Sequence, residues 1–129
     1  MSVEPFIKCS DMTRSLEFYS KLLDFEVRVP PDPDPAAFMS KYAQLVRDDS
    51  VVHLSAHAGD GVYGSVTYIR VDNVDDVYAA AVSRGLPVVD GDELPGIYMQ
   101  LTDQTWGMRE FGVKDPDGNK VKYGQATSA

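Results

Sequence analysis

Cysteine is almost absent from this 129-residue chain: Cys9 stands alone, so no disulfide can form within it and cysteine-rich zinc sites are excluded. Histidine is nearly as scarce, with only His53 and His57. No apolar run approaches the ~20 residues that a membrane-spanning helix needs. Met1 to Ser10 carries Glu4, Pro5 and Lys8 where the apolar segment of a signal peptide would lie. Positive charge is in deficit, 12 Lys and Arg against 20 Asp and Glu, for a net charge of -8. Without a clustered basic face, phosphates have nothing to neutralise them, which argues against a nucleic acid partner. Glycine-rich phosphate loops are missing too. These absences predict a cytoplasmic protein of one domain that engages neither nucleic acid nor membrane.

What is present is periodicity. Val3 to Cys9 alternates as a strand, with Ile7 and Cys9 on one side. Ser10 or Asp11 can cap a helix carrying Met12, Leu16, Tyr19 and Leu23 at helical spacing. Phe25 to Val29 is the next strand. Pro30 to Pro35 holds four prolines in six residues and must be an exposed loop. Strands at Phe38–Arg47 and Val51–His57 follow, joined by a turn at Asp48–Ser50. Three glycines between Ala58 and Gly64 then mark a linker, giving modules 1–58 and 64–129.

The second module repeats the first. A strand at Gly64–Val71 precedes a helix capped by Asp72 or Asn73 and ended by Gly85. A shift of 62 positions sets Met12 on Val74, Leu16 on Tyr78, Tyr19 on Ala81 and Val27 on Val89. Strands at Leu86–Asp90 and Leu94–Leu101 come next, around a turn at Gly91–Glu93. Gly107 to Val113 alternates, Asp115-Pro-Asp-Gly-Asn119 supplies turn chemistry, and Lys120 to Gln125 returns. Each half therefore reads as strand, helix, three strands, an α+β chain of two βαβββ modules.

Trp106-Gly-Met-Arg-Glu-Phe111 followed by Asp115-Pro-Asp-Gly-Asn119 resembles the closing hairpin of the glyoxalase, bleomycin-resistance and extradiol-dioxygenase (vicinal-oxygen-chelate) superfamily, most of all its bleomycin-resistance branch. Ser10-Asp-Met-x-x-Ser-x-x-Phe-Tyr19 and Val46-Arg-Asp-Asp-x-Val-x-x-Leu-Ser55 extend the similarity over nearly the whole chain. The resemblance implies curved sheets forming a cleft with helices outside, and a homodimer. It also implies four metal-ligand positions in the metal-dependent members, which fall here on Glu4, His53, Val66 (or Ser65) and Lys122. Only Glu4 and His53 are ligand types. His57 cannot join His53, since four residues along a strand separate them by roughly 13 Å.

No hydrolytic triad replaces the metal, because Ser55 lacks an orienting third group. Aromatic residues beside strands suit a flat ligand instead, and the acidic chain favours a cationic one. The expectation is a metal-free, cofactor-free and non-catalytic protein that sequesters a partly aromatic, cationic small molecule as a dimer. Phe38, His53, Tyr68, Tyr98, Trp106 and Glu110 are its candidate ligand contacts, Trp106 by resemblance to a tryptophan beside the ligand groove of the bleomycin-resistance branch. The alternative is a metal-dependent lyase or dioxygenase using Glu4 and His53.

Overall fold

The computed structural model describes residues 1–88 and 95–127, and the chain forms two compact units, residues 1–65 and 66–129. In the first unit the elements run β1 (Phe6–Lys8), α1 (Met12–Glu17), β2 (Glu26–Val29), β3 (Tyr42–Arg47) and β4 (Ser50–Ser55). In the second they run β5 (Val66–Arg70), α2 (Val74–Ser83), β6 (Gly96–Asp103), β7 (Met108–Lys114) and β8 (Lys120–Ala126). The sheet orders are β1-β4-β3-β2 and β5-β8-β7-β6. Both modules thus use one plan, in which the first strand pairs in parallel with the last and the other pairings are antiparallel.

Local chemistry fixes where the elements begin and end. Of the two candidate caps for α1 it is Asp11 that accepts, from the Arg14 backbone N–H at 3.1 Å. For α2 it is Asn73, accepting from Asp76 N–H at 3.1 Å, and Gly85 closes the helix at φ +98°. The α1 helix continues as a π-helical turn over Phe18–Leu22, with Leu23 N–H donating to Phe18 C=O. This wider winding buries Phe18 and Tyr19 side by side, so the core stripe holds Ser15, Phe18, Tyr19 and Leu23, where the regular spacing gives Met12, Leu16, Tyr19 and Leu23.

Each sheet is asymmetric. One face of the first carries Ile7, Ala43, Leu45, Val52 and Leu54, all buried, and Phe18, Tyr19, Leu23 and Phe25 complete that core. In the second sheet Ile97, Phe111, Val113, Val121 and Tyr123 are buried with Val74 and Ala81 of α2. Tyr78 meets Phe111 edge-on at 5.1 Å, and Phe111 stacks on Tyr123 at 5.0 Å. Burying each large side chain contributes roughly 1.5–3 kcal/mol, which fixes the register and leaves the opposite faces free for polar and aromatic residues.

Several boundaries differ from expectation. Phe38 lies in a 3-10 turn (Phe38–Lys41), and the strand starts only at Tyr42. The first strand is shortened to three residues, with Val3 fully outside the sheet. Of the strand expected at Leu86–Asp90, Leu86 and Pro87 are not in a strand and Val88 makes an isolated parallel bridge to Ile97; Val89 and Asp90, with the turn at Gly91–Glu93 and the match of Val27 to Val89, lie outside the described residues. The Asp115–Asn119 turn is held from within. The buried Asp115 carboxylate accepts from the N–H groups of Asp117 and Asn119, both at 2.9 Å, and from the Asn119 side chain at 3.0 Å.

Candidate functional site

The non-core face of the first sheet is built around His53. Register places His53 beside Phe6 on one side and Gln44 on the other. The Phe6 ring stacks on the imidazole at 4.4 Å with planes 11° apart. Both ring nitrogens are engaged: Nε2 lies 2.7 Å from Glu4 Oε1, and Nδ1 lies 2.6 Å from the Tyr42 hydroxyl. An ionised carboxylate can only accept, so the proton belongs on Nε2, and in the neutral ring Nδ1 accepts from Tyr42. Gln44 Nε2 in turn donates to the Tyr42 oxygen at 3.4 Å. The result is a directed relay from Gln44 through Tyr42 and His53 to Glu4.

Phe38 stands apart from this relay. It is 75% exposed and stacks at 4.1 Å on His57, whose buried Nε2 has no partner among the described residues. Ser55 does not make a nucleophile, since its hydroxyl donates to Asp60 at 2.7 Å and accepts from His57 N–H.

In the second sheet the non-core face displays Tyr68, Tyr98 and Glu110 together. Two glycines make room for the rings. A Cβ on Gly124 would lie 1.7 Å from the Tyr68 hydroxyl, and one on Gly112 would lie 2.5 Å from the Tyr98 ring. Tyr68 therefore crosses β8 to donate to Glu110 Oε2 at 2.7 Å, although Glu110 itself is only 3% exposed. Burial, and then the adjacent Glu110 carboxylate, push the Tyr68 phenol up to about 12. Burial and Glu110 also raise Tyr98. The Tyr98 hydroxyl is buried over Gly112 with no hydrogen-bond partner among the described residues. The ammoniums of Lys114 and Lys120 stand 5.9 and 5.2 Å from its ring centroid. Trp106 is elsewhere, 64% exposed in the tight turn between β6 and β7.

The six sequence candidates thus separate into a cluster of three (Tyr68, Tyr98, Glu110), a relay centred on His53, and two exposed rings. Sequence reasoning passed over Gln44, which has no motif, and covers Tyr42 and Phe6 only as aromatic residues beside strands. Alternation alone identifies their face, but only strand register shows that both meet His53. Glycines at 112 and 124 were legible as strand glycines, which often mark the close approach of another group.

The donor set does not fit a metal centre. Among the described residues no three His, Cys, Asp or Glu side chains gather where they could hold an ion. The other two positions that the resemblance implies fall on Val66 (or Ser65), where Val66 has no donor atom, and on Lys122, whose ammonium repels a dication.

A family model described as Glyoxalase/Bleomycin resistance protein/Dioxygenase superfamily matches residues 4–123. Among solved structures, a bleomycin resistance determinant encoded on the transposon Tn5 is 22% identical with a TM-score of 0.79, covering 99% of each chain. A bleomycin-binding protein complexed with bleomycin is 23% identical with a TM-score of 0.76, covering 97% of this chain and 98% of that one. A bleomycin-binding protein from bleomycin-producing Streptomyces verticillus, complexed with copper(II)-bleomycin, is 21% identical with a TM-score of 0.71, over 95% of this chain and 93% of that one. At these identities the likeness is one of fold. No curated protein matches.

Proposed function

Because the chain belongs to the glyoxalase/bleomycin resistance protein/dioxygenase superfamily, we propose that it is a non-catalytic, metal-free member that sequesters a partly aromatic small molecule, acting as a homodimer in the cytoplasm. The observation that carries this reading is the pair of tyrosines laid across Gly112 and Gly124 beside a buried carboxylate. Rings placed on a face that the core does not use offer a flat ligand a surface at little conformational cost. Phe38, His53 and the exposed Trp106 are further contacts. The net charge of -8 draws cationic ligands into encounter. Bleomycin, named for two of the similar structures, is the first compound to test.

Calorimetric titration should show bleomycin binding, weakened by more than ~1 kcal/mol in Trp106→Ala with the melting curve unchanged. Equal affinity in both proteins removes Trp106 from the site, and no heat at all removes bleomycin as a ligand.

A second reading is favoured by the Glu4–His53 pair, which is the ligand remnant a metal-dependent lyase or dioxygenase would keep. Metal-stripped protein titrated with Ni²⁺, Zn²⁺, Mn²⁺ or anaerobic Fe²⁺ separates the two. Stoichiometric binding lost in His53→Ala would replace the first reading by this one.

A further inference from the structure

The face that carries Tyr98 contradicts the charge of the whole chain. Strand register sets Lys114 directly opposite Lys120, and Lys122 opposite Gly112, so three lysines fall on one face of the β7–β8 ladder. Arg70, opposite Gly124, shares that face. These four cations share one face in a chain whose net charge is -8. Among the described residues the carboxylate on this part of the face, Glu110, is buried and already accepts from Tyr68. Neither Lys120 nor Lys122 has a carboxylate partner among the described residues. Lys120 instead stands 5.2 Å from the Tyr98 ring centroid, and the Tyr98 hydroxyl is a buried donor without an acceptor among the described residues.

Resting on the small-molecule reading given above, we infer that this face takes a planar aromatic acid: the ring lies against Tyr98, and the carboxylate is held by Lys120 and Lys122. One bound anion pairs with Lys120 and Lys122 together and brings an acceptor toward the Tyr98 hydroxyl. The acidic charge of the chain acts at long range and is screened within about 10 Å at 0.1 M salt, whereas the lysines act at contact. A ligand bearing both a cationic group and an aromatic carboxylate satisfies both fields.

Naphthoate and its neutral isostere naphthamide provide the test, titrated by calorimetry at low salt and followed by amide chemical shifts. Naphthoate should bind at least about tenfold tighter than naphthamide, with the largest shifts at Gly112, Lys120 and Lys122. The advantage should vanish in the double variant Lys120→Gln/Lys122→Gln, whose surface changes leave the melting temperature in place. Equal affinity for the two probes, a naphthoate advantage that survives in the double variant, or no naphthoate binding overturns the anion site. Bleomycin titration reads the underlying small-molecule reading separately: naphthoate can fail while bleomycin binds, which leaves that reading standing without the carboxylate subsite.

Discussion

Tyr68 is a half-exposed phenol whose proton is held by a carboxylate it cannot escape. Its pKa stands at about 12, against 10.0 for the free side chain. Between those values the folded chain keeps a proton that the unfolded chain has lost. The associated stability is therefore complete below about pH 10 and is lost as pH rises toward 12. In a phenolate absorbance titration Tyr68 should ionise late, and Tyr68→Phe should remove its share of the late absorbance while that of Tyr98, which is also raised, remains. Glu110→Gln should move the Tyr68 step earlier, because the carboxylate charge that opposes phenolate formation is gone while the ring remains. Tyr98→Phe probes the opposite situation. Removing a buried hydroxyl that has no partner among the described residues should leave stability unchanged or raise it by about 1 kcal/mol in a denaturant melt. The sequence marked Tyr68, Tyr98 and Glu110 as residues of interest, yet the Tyr68–Glu110 bond joins positions 42 apart and follows only from strand pairing. His53 shows the same boundary: alternation puts it off the core, but its bonds to Glu4 and Tyr42 depend on which strands become neighbours.

At the level of elements, the β7–β8 hairpin and both helix caps were readable because the chemistry is local. Aspartate, proline and glycine act on backbone groups a few positions away. The π-helical turn at Phe18–Leu22 was not readable, since its pattern differs from an α-helix by one residue per turn over a single turn. Nor was the late start of β3, where Phe38 continues the apolar pattern but takes a 3-10 conformation. The glycines of β7 and β8 provide the sharpest test of how the second sheet holds its tyrosines. In Gly124→Ala the new methyl must expel the Tyr68 ring tip. A loss of about 1–2 kcal/mol is expected in chemical denaturation, together with return of the late phenol to an ordinary titration. Stability loss without that return would mean the ring stays on Glu110 and the strand backbone moves instead.

For the molecule as a whole, charge and topology give separate consequences. With a net charge of -8, association with a cationic ligand such as bleomycin should slow as salt is raised, while its dissociation rate changes little; stopped-flow mixing at two ionic strengths checks this. The α+β plan of two repeated modules was legible from sequence because each half repeats the same order of patterns. Strand neighbours were not, because the pairing of a first strand with a last one leaves no local signal. That parallel pairing also orders events in time. Val113 and Val121 meet across a short turn, whereas Thr67 must find Val121 across almost the entire module. Loop-closure entropy makes the second encounter the later one. The hairpin is therefore expected to form first, with β5 docking onto it last. Kinetically, damage to Asp115 should slow refolding, whereas trimming Ile69 should chiefly hasten unfolding; the lifetime of the finished module is governed at the strand that arrives last.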